Sequence, residues 1–310
     1  MNKVFESIKD GFFIEKIKIR IRKRKYKVND KMNDKEFLIQ KGRARLGYVM
    51  NLDNPMTFNE KINWYKLNYR NDLMPICADK YMVYDYIKGK GLESILIPLY
   101  GVYDDISEIN LNSLPDSFVA KVTGDSGGVV VCRDKSKFFE EAAKKLNLKS
   151  DYSNDNKEWP YHFIKNRIIV QQLIETKDGR SPKDYKFFCF NGEPKFLFVA
   201  SDRDTHCKFD FYDLEWNHIP VKQGHPNSKT HIEKPDCLDE MLKTCKILSK
   251  DFPHVRVDLF YEQGKIYFGE LTFFHFSGLT SFIPKKYDKI FGEYFDISKI
   301  SINKEPINRE

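Results

Sequence analysis

Two apolar rhythms alternate along this chain. SFVAKV, VVVCRD, RIIVQQLIE, DYKFFCF and KFLFVASDRD are short runs rich in β-branched and aromatic residues, bounded by Gly, Asn or Asp, and they read as strands. ILIPLYGVYDD reads as a further strand or extended segment. The Asn191-Gly192 pair between DYKFFCF and KFLFVASDRD is a strong two-residue hairpin signal. Helical spacing appears elsewhere. NPMTFNEKINWYKLNYRND opens with Thr57-x-x-Glu60, a capping box, and predicts a helix to about Tyr69. CADKYMVYDYIKGKG predicts a second helix that stops near Gly91, DKSKFFEEAAKKLNLK a third capped by Asp134, and CLDEMLKTCKILSKDF an amphipathic fourth. The pattern implies an α+β protein whose antiparallel sheets have helices covering their faces.

The stretch VRVDLFYEQGKIYFGELTF, Val255–Phe273, predicts a hairpin that holds two acids among apolar residues. A three-residue loop, Glu262-Gln263-Gly264, pairs Asp258 with Phe268 and Arg256 with Glu270. Asp258 and Glu270 then become diagonal neighbours on one face, roughly 7–8 Å apart. A two-residue loop would put them on opposite faces, because side chains alternate along a strand. Two acids at that separation suit a hard cation such as Mg²⁺, which takes one or two carboxylates and completes its shell with phosphates and water. The plainer alternative is an Arg256–Glu270 cross-strand ion pair with Asp258 incidental.

At 310 residues, with 41% hydrophobic and 31% charged residues, the chain can bury a large core and suggests two or three subdomains. The 15% aromatic content fits strand-rich structure. No apolar run approaches the roughly 18–20 residues that cross a membrane, and MNKVFESIKDGFF lacks the features of a signal peptide. The six cysteines are widely spaced with no CxxC pair, which argues against a disulfide framework or zinc site and suits a reducing cytoplasm.

The net charge of +7 is concentrated between Lys16 and Lys35, where ten basic residues meet two acids. IEKIKIRIRKRKYK could form a basic helix on an anionic membrane surface, or remain a solvated arm. No recognition motif accompanies the charge, so nucleic acid is not an expected partner.

Candidate chemistry lies in the middle of the chain. Lys121 closes a strand and runs into VTGDSGG, where glycines let backbone N–H groups approach an anion. The loop lacks GK[ST] and is followed by a strand, so it is a flap and not a Walker A loop. Lys186 interrupts the apolar strand DYKFFCF, and a lysine in such a place either snorkels out or reaches an anion. The end of RIIVQQLIE, with Gln172, Ile174 and Glu175, could meet an adenine edge or ribose. Arg203 is a candidate phosphate clamp, and Asp202-x-Asp204 resembles the permissive DxD of glycosyltransferases.

The order of these elements resembles the ATP-grasp superfamily, and more closely the TupA-like ATP-grasp family named for teichuronopeptide synthesis. FNEKINWYKLNYRND, CADKYMVYDYI, the Lys121 flap, EWPYHFIKNRIIVQQLIE, DYKFFCFNGEPKFLFVASDRD, FYDLEWNHIPV and the late hairpin carry the resemblance from about residue 36 to 295. It implies two α+β subdomains clasping ATP after a helical region. The expected parts are a basic arm (1–35), a helical region (36–75), a subdomain with the flap (76–166) and a C-terminal subdomain with the metal site (167–300). By resemblance Lys121 and Lys186 hold ATP with Gly124, Ser126 and Gly127. Gln172, Ile174 and Glu175 serve adenine and ribose, Arg203 joins the lysines in catalysis, and Asp258 and Glu270 bind Mg²⁺.

The implied activity is a cytoplasmic carboxylate–amine ligase acting through an acyl phosphate in capsule or other cell-surface polymer synthesis. Its partner would be a polysaccharide, amino-acid or peptide acceptor, with membrane contact through the basic arm. The alternatives are a glycosyltransferase, an ATP-grasp kinase and a non-catalytic relative. Three positions depart from the family pattern. Thr123-Gly124 replaces a usual Asn-His, Tyr84 stands where arginine is common, and His275 sits in FHFSG where relatives carry Pro and Gly. These departures bear on acceptor contacts, and His275 reads either as an acid–base group or as a structural substitution.

Overall fold

The computed structural model describes residues 33–125, 127–146, 148 and 156–302. Most of the basic arm, and Ser126 of the flap, therefore lie outside the described residues.

The chain enters through helix α1 (Asp34–Leu46), whose first turn is capped by the Asn33 side chain accepting the Glu36 N–H. Helix α2 (Phe58–Asn68) begins at the expected capping box. Glu60 does more than cap, because its two oxygens also accept the Asn51 and Met56 N–H groups and pin the preceding turn. The helix expected across residues 77–91 is in fact two short ones, α3 (Leu73–Ala78) and α4 (Val83–Gly89). Asp79 is the reason. Its carboxylate accepts the Tyr81 and Met82 N–H groups in an extended backbone, a local bond that competes with helical pairing.

Strands β1 (Leu99–Tyr103), β2 (Phe118–Val122), β3 (Val129–Cys132) and β4 (Ile168–Gln171) form an antiparallel sheet in the order β1-β4-β2-β3. Helix α5 (Phe138–Lys145) packs Phe138 and Ala142 into a core with Phe118, Val122 and Val170. Its approach is a short 3-10 turn in which Asp134 caps Ser136, as the sequence indicated.

The larger sheet holds β5 (Asp184–Phe190), β6 (Glu193–Ser201), β7 (Lys208–Tyr212), β8 (His218–Ile219), β9 (His254–Glu262) and β10 (Lys265–Thr272). Its order is β10-β9-β5-β6-β7-β8, and every pairing is antiparallel. Asn191 and Gly192 turn the β5–β6 hairpin with φ of 50° and 80°, as the dipeptide predicts. Strand β5 is buried at all seven positions, which explains why DYKFFCF reads as a continuous apolar run. Helix α6 (Leu238–Ser249) covers β5, β6 and β9, and helix α7 (Lys286–Tyr294) packs on α2. Between them lies an aromatic core in which Phe188 stacks on Phe196 at 4.4 Å and Phe196 on Phe291 at 4.0 Å.

The late hairpin departs from expectation in a way that matters to the site. Its loop has two residues, Gln263 and Gly264, both left-handed with φ of 51° and 79°; Glu262 already pairs with Lys265. That parity alone would separate Asp258 and Glu270. A β-bulge between Phe268 and Glu270 inserts Gly269 and flips the face again, so Glu270 stands directly opposite Asp258 and Thr272 opposite Arg256.

Candidate active site

Lys186 of β5 pairs in register with Asp258 of β9, which pairs with Glu270 of β10. Three neighbouring strands thus line up a cation and two acids in one row. The next row toward the strand ends adds Arg256 and Thr272. Asp184, two residues before Lys186 on the same face of β5, adds a third carboxylate that the sequence reading missed.

These side chains are tightly paired. Arg256 grips Asp258 with two bonds, Nε to Oδ1 at 2.7 Å and Nη2 to Oδ2 at 2.6 Å. Its Nη2 also reaches Glu270 Oε1 at 3.1 Å and Thr272 Oγ1 at 3.0 Å. Lys186 donates to Asp258 Oδ2 and to Asp184 at 2.6 Å, and Arg203 reaches the same Asp184 oxygen at 3.0 Å. The other Asp184 oxygen is buried without a partner. The Arg256–Glu270 ion pair therefore exists, and Asp258 is its main partner and not incidental.

Burial pushes the Asp258 carboxyl up to about 6, against the opposing pull of Arg256 and Lys186. Burial would raise Glu270 too, but Lys186, Lys80 and Arg256 together hold it well below the usual carboxylate range. Glu270 keeps 37% of its side chain exposed, whereas Asp258 keeps 1%.

The small sheet carries Lys121 on β2. Burial, with the charge of nearby Lys80, lowers the Lys121 ammonium to about 8, while Glu270 and Asp184 favour its charged form. Lys80, also missed in the sequence, donates to the Asp125 carbonyl of the flap. Its only sequence signal was a lysine within CADKY.

The remaining expected residues divide. Ile174 lines a cleft of about 340 Å³ with Val131, Arg133, Leu173, Arg180 and Asp204, beside the strand end proposed for adenine. Glu175 is exposed and accepts from the Ser117 hydroxyl at 3.1 Å, and the Gln172 side chain is exposed while its N–H bonds Pro98 O. Gly127 donates its N–H to Asp125 Oδ1 at 3.0 Å. Gly124 packs against the segment behind the flap. A Cβ there would meet Asn166 Oδ1 at 2.5 Å and Ile164 Cγ2 at 2.8 Å. Thr123 accepts the Arg167 N–H at its Oγ1, 3.0 Å, so Thr123-Gly124 clasps residues 164–167 where a larger pair would not fit. Tyr84 donates to Ile97 O at 2.8 Å.

Asp202 and Asp204 do not converge as a metal pair. Asp202 sits in a left-handed turn at φ 52°, and Asp204 accepts the Ser181 N–H and hydroxyl at 2.5 and 2.6 Å. Among the described residues no group of three or more His, Cys, Asp or Glu could hold a metal.

A sequence model of the TupA-like ATPgrasp family matches residues 60–296. This chain belongs to the TupA-like ATPgrasp family. Its two antiparallel sheets with helices packed on them are the α+β architecture of that fold. No curated protein matches the sequence. Among solved structures it is similar to a D-alanine–D-alanine ligase from Bacillus anthracis complexed with ATP, at 17% identity and a TM-score of 0.38, over 64% of this chain and 53% of that one. A D-alanine–D-alanine ligase from Helicobacter pylori gives 14% identity and a TM-score of 0.43, over 77% of this chain and 69% of that one. Phosphoribosylglycinamide synthetase from Anaerococcus prevotii gives 14% and 0.36, over 69% and 48%. The TupA-like chain thus spans about half the length of the first of these. Among its described residues no helix is long and apolar enough to cross a membrane.

Proposed function

We propose that this protein is an ATP-dependent carboxylate–amine ligase that forms an amide through an acyl phosphate. One observation carries the reading: Lys186, Arg203 and Arg256 gather on the Asp184, Asp258 and Glu270 carboxylates along neighbouring rows of the large sheet. Cations around close carboxylates suit a polyphosphate with a divalent ion. Asp258 and Glu270 fit Mg²⁺ as a pair, with Glu270 the accessible ligand and Asp258 the inner one. When bound, the ion would offset the negative charge of the phosphates.

The protein groups then have separate tasks. Ile174 and the cleft beside it take the base, and the flap with Lys80 and Lys121 closes over the phosphates. Lys186 and Arg203 face the terminal phosphoryl group and stabilise charge as a substrate carboxylate attacks the γ-phosphorus. An amine then displaces phosphate. Arg256 keeps both acids ionised in this crowded site.

The acceptor we assign to this reaction is a uronic acid or peptide carboxylate of a cell-surface polymer, processed in the cytoplasm; family membership supports it. Residues 1–35 are proposed to hold the enzyme near lipid-linked acceptors through attraction of about 1 kcal/mol per basic residue at an anionic surface. Truncation of that arm should abolish salt-sensitive pelleting with anionic vesicles; equal pelleting of both forms would reject the arm's role. The nucleotide assignment is tested by a binding screen. ATP should bind and UDP-sugars should not, and the reverse result would restore the glycosyltransferase alternative.

A further inference from the structure

His275 lies beside the acid row, and its place is fully determined by hydrogen bonding. Arg256 carries only donors, so the His275 Nδ1 it meets at 2.6 Å must present a lone pair. At the other side, His275 Nε2 lies 2.9 Å from Gln223 Oε1. The orientation of that amide is set in turn by Thr280, whose carbonyl can only accept and takes the Gln223 Nε2–H at 3.0 Å. Both ends of the chain of bonds demand the same tautomer, with the proton on Nε2. An imidazolium would set a second N–H against the guanidinium. His275 and Gln223 are each 1% exposed, so no solvent relaxes these requirements. Burial, with Arg256, His254 and Lys186 nearby, keeps the imidazole far below its ordinary range. The acid–base role is thereby set aside.

We infer that the Thr280–Gln223–His275 relay is a positioning device for Arg256, holding its guanidinium so that Asp258 and Glu270 face one metal ion. Arg256 uses Nε and Nη2 on the carboxylates and Thr272, and its Nη1 on His275. Without His275 the guanidinium loses its anchor on the side away from the acids, while Phe198, 5.8 Å away, offers only a ring face. The spacing of the two carboxylates then loosens. This inference rests on the Mg²⁺–ATP reading of the same site for its metal half alone.

The test compares two substitutions of opposite character. His275→Phe fills the ring space beside Phe188 but accepts nothing from Arg256. His275→Asn fills less, yet its side-chain oxygen can accept in place of Nδ1. Calorimetric titration of Mg²⁺ with a non-hydrolysable ATP analogue should show affinity falling about 10- to 100-fold in the Phe variant, the range typical of outer-shell partners, and partly recovering in the Asn variant. Gln223→Met should weaken it while leaving the ring in place. In wild type, ¹⁵N–¹H correlation spectra should place the His275 proton on Nε2. A proton on Nδ1, or wild-type Mg²⁺ affinity in His275→Phe, would overturn the relay, and so would an Asn variant no better than Phe. A wild type that binds neither nucleotide nor metal would instead overturn the ligase reading, leaving the tautomer measurement to judge the relay.

Discussion

Asp258 and Glu270 look alike in the sequence, yet burial gives them different duties. Asp258 neutralises Arg256 and Lys186 in a dry row, so Asp258→Asn leaves two under-compensated cations. Breaking such a buried pairing typically costs about 3–5 kcal/mol. Its denaturation midpoint should fall along with activity. Glu270 is partly open, so Glu270→Gln should abolish Mg²⁺-dependent turnover while chemical denaturation stays within about 1 kcal/mol of wild type. Normal turnover in Glu270→Gln would remove it from the metal site. Lys121 supplies a pH test. Its ammonium is lowered to about 8 by burial and Lys80. The charged form that meets phosphate therefore prevails below that pH and is lost as pH rises through it. kcat/KM for ATP, which reports the free enzyme, should show a basic limb near pH 8 that Lys121→Arg shifts upward. A limb unchanged in that variant would assign it to another group.

The strands were largely legible because β5, β6 and β9 carry dense aromatic and β-branched runs whose burial is decided locally. The Asn191-Gly192 turn likewise declared itself through its need for positive φ. The late hairpin was not legible in the same way. Its Gln263-Gly264 turn and the Gly269 bulge each reverse the face relation, and together they restore the shared face but not the register of a three-residue loop, since Glu270 pairs with Asp258 and not with Arg256. The conclusion that the acids share a face was right, by a route the residue pattern does not distinguish. Lys80 and the Gln223–His275 contact were invisible because they arise from strands and loops distant in sequence, whereas strand alternation already puts Asp184 on the face of Lys186. The predicted long helix failed at Asp79, where one side chain offers the backbone a local alternative. Gly269 now becomes a test of the bulge. A Cβ there would stand 3.0 Å from the Asp258 carbonyl and 3.2 Å from Phe260. Gly269→Val should cost about 1–3 kcal/mol by overpacking and displace Glu270, lowering Mg²⁺ affinity. Unchanged stability and affinity would show that the bulge does not set the site.

The whole molecule joins a small sheet that carries the Lys121 flap to a large sheet that gathers Lys186, Arg203 and Arg256 on the Asp184, Asp258 and Glu270 carboxylates. That convergence favours chemistry at the terminal phosphate of a nucleotide, where charge spreads over three oxygens. The three positions singled out in the sequence each have a structural task. Thr123-Gly124 closes the base of the flap, Tyr84 ties a helix to Ile97, and His275 braces Arg256. The most direct measurement is the fate of ATP with a competent carboxylate and amine. The account predicts ADP and inorganic phosphate, with hydroxylamine trapping the acyl phosphate as a hydroxamate. AMP with pyrophosphate, or a phosphate left on a sugar with no amine required, would contradict it.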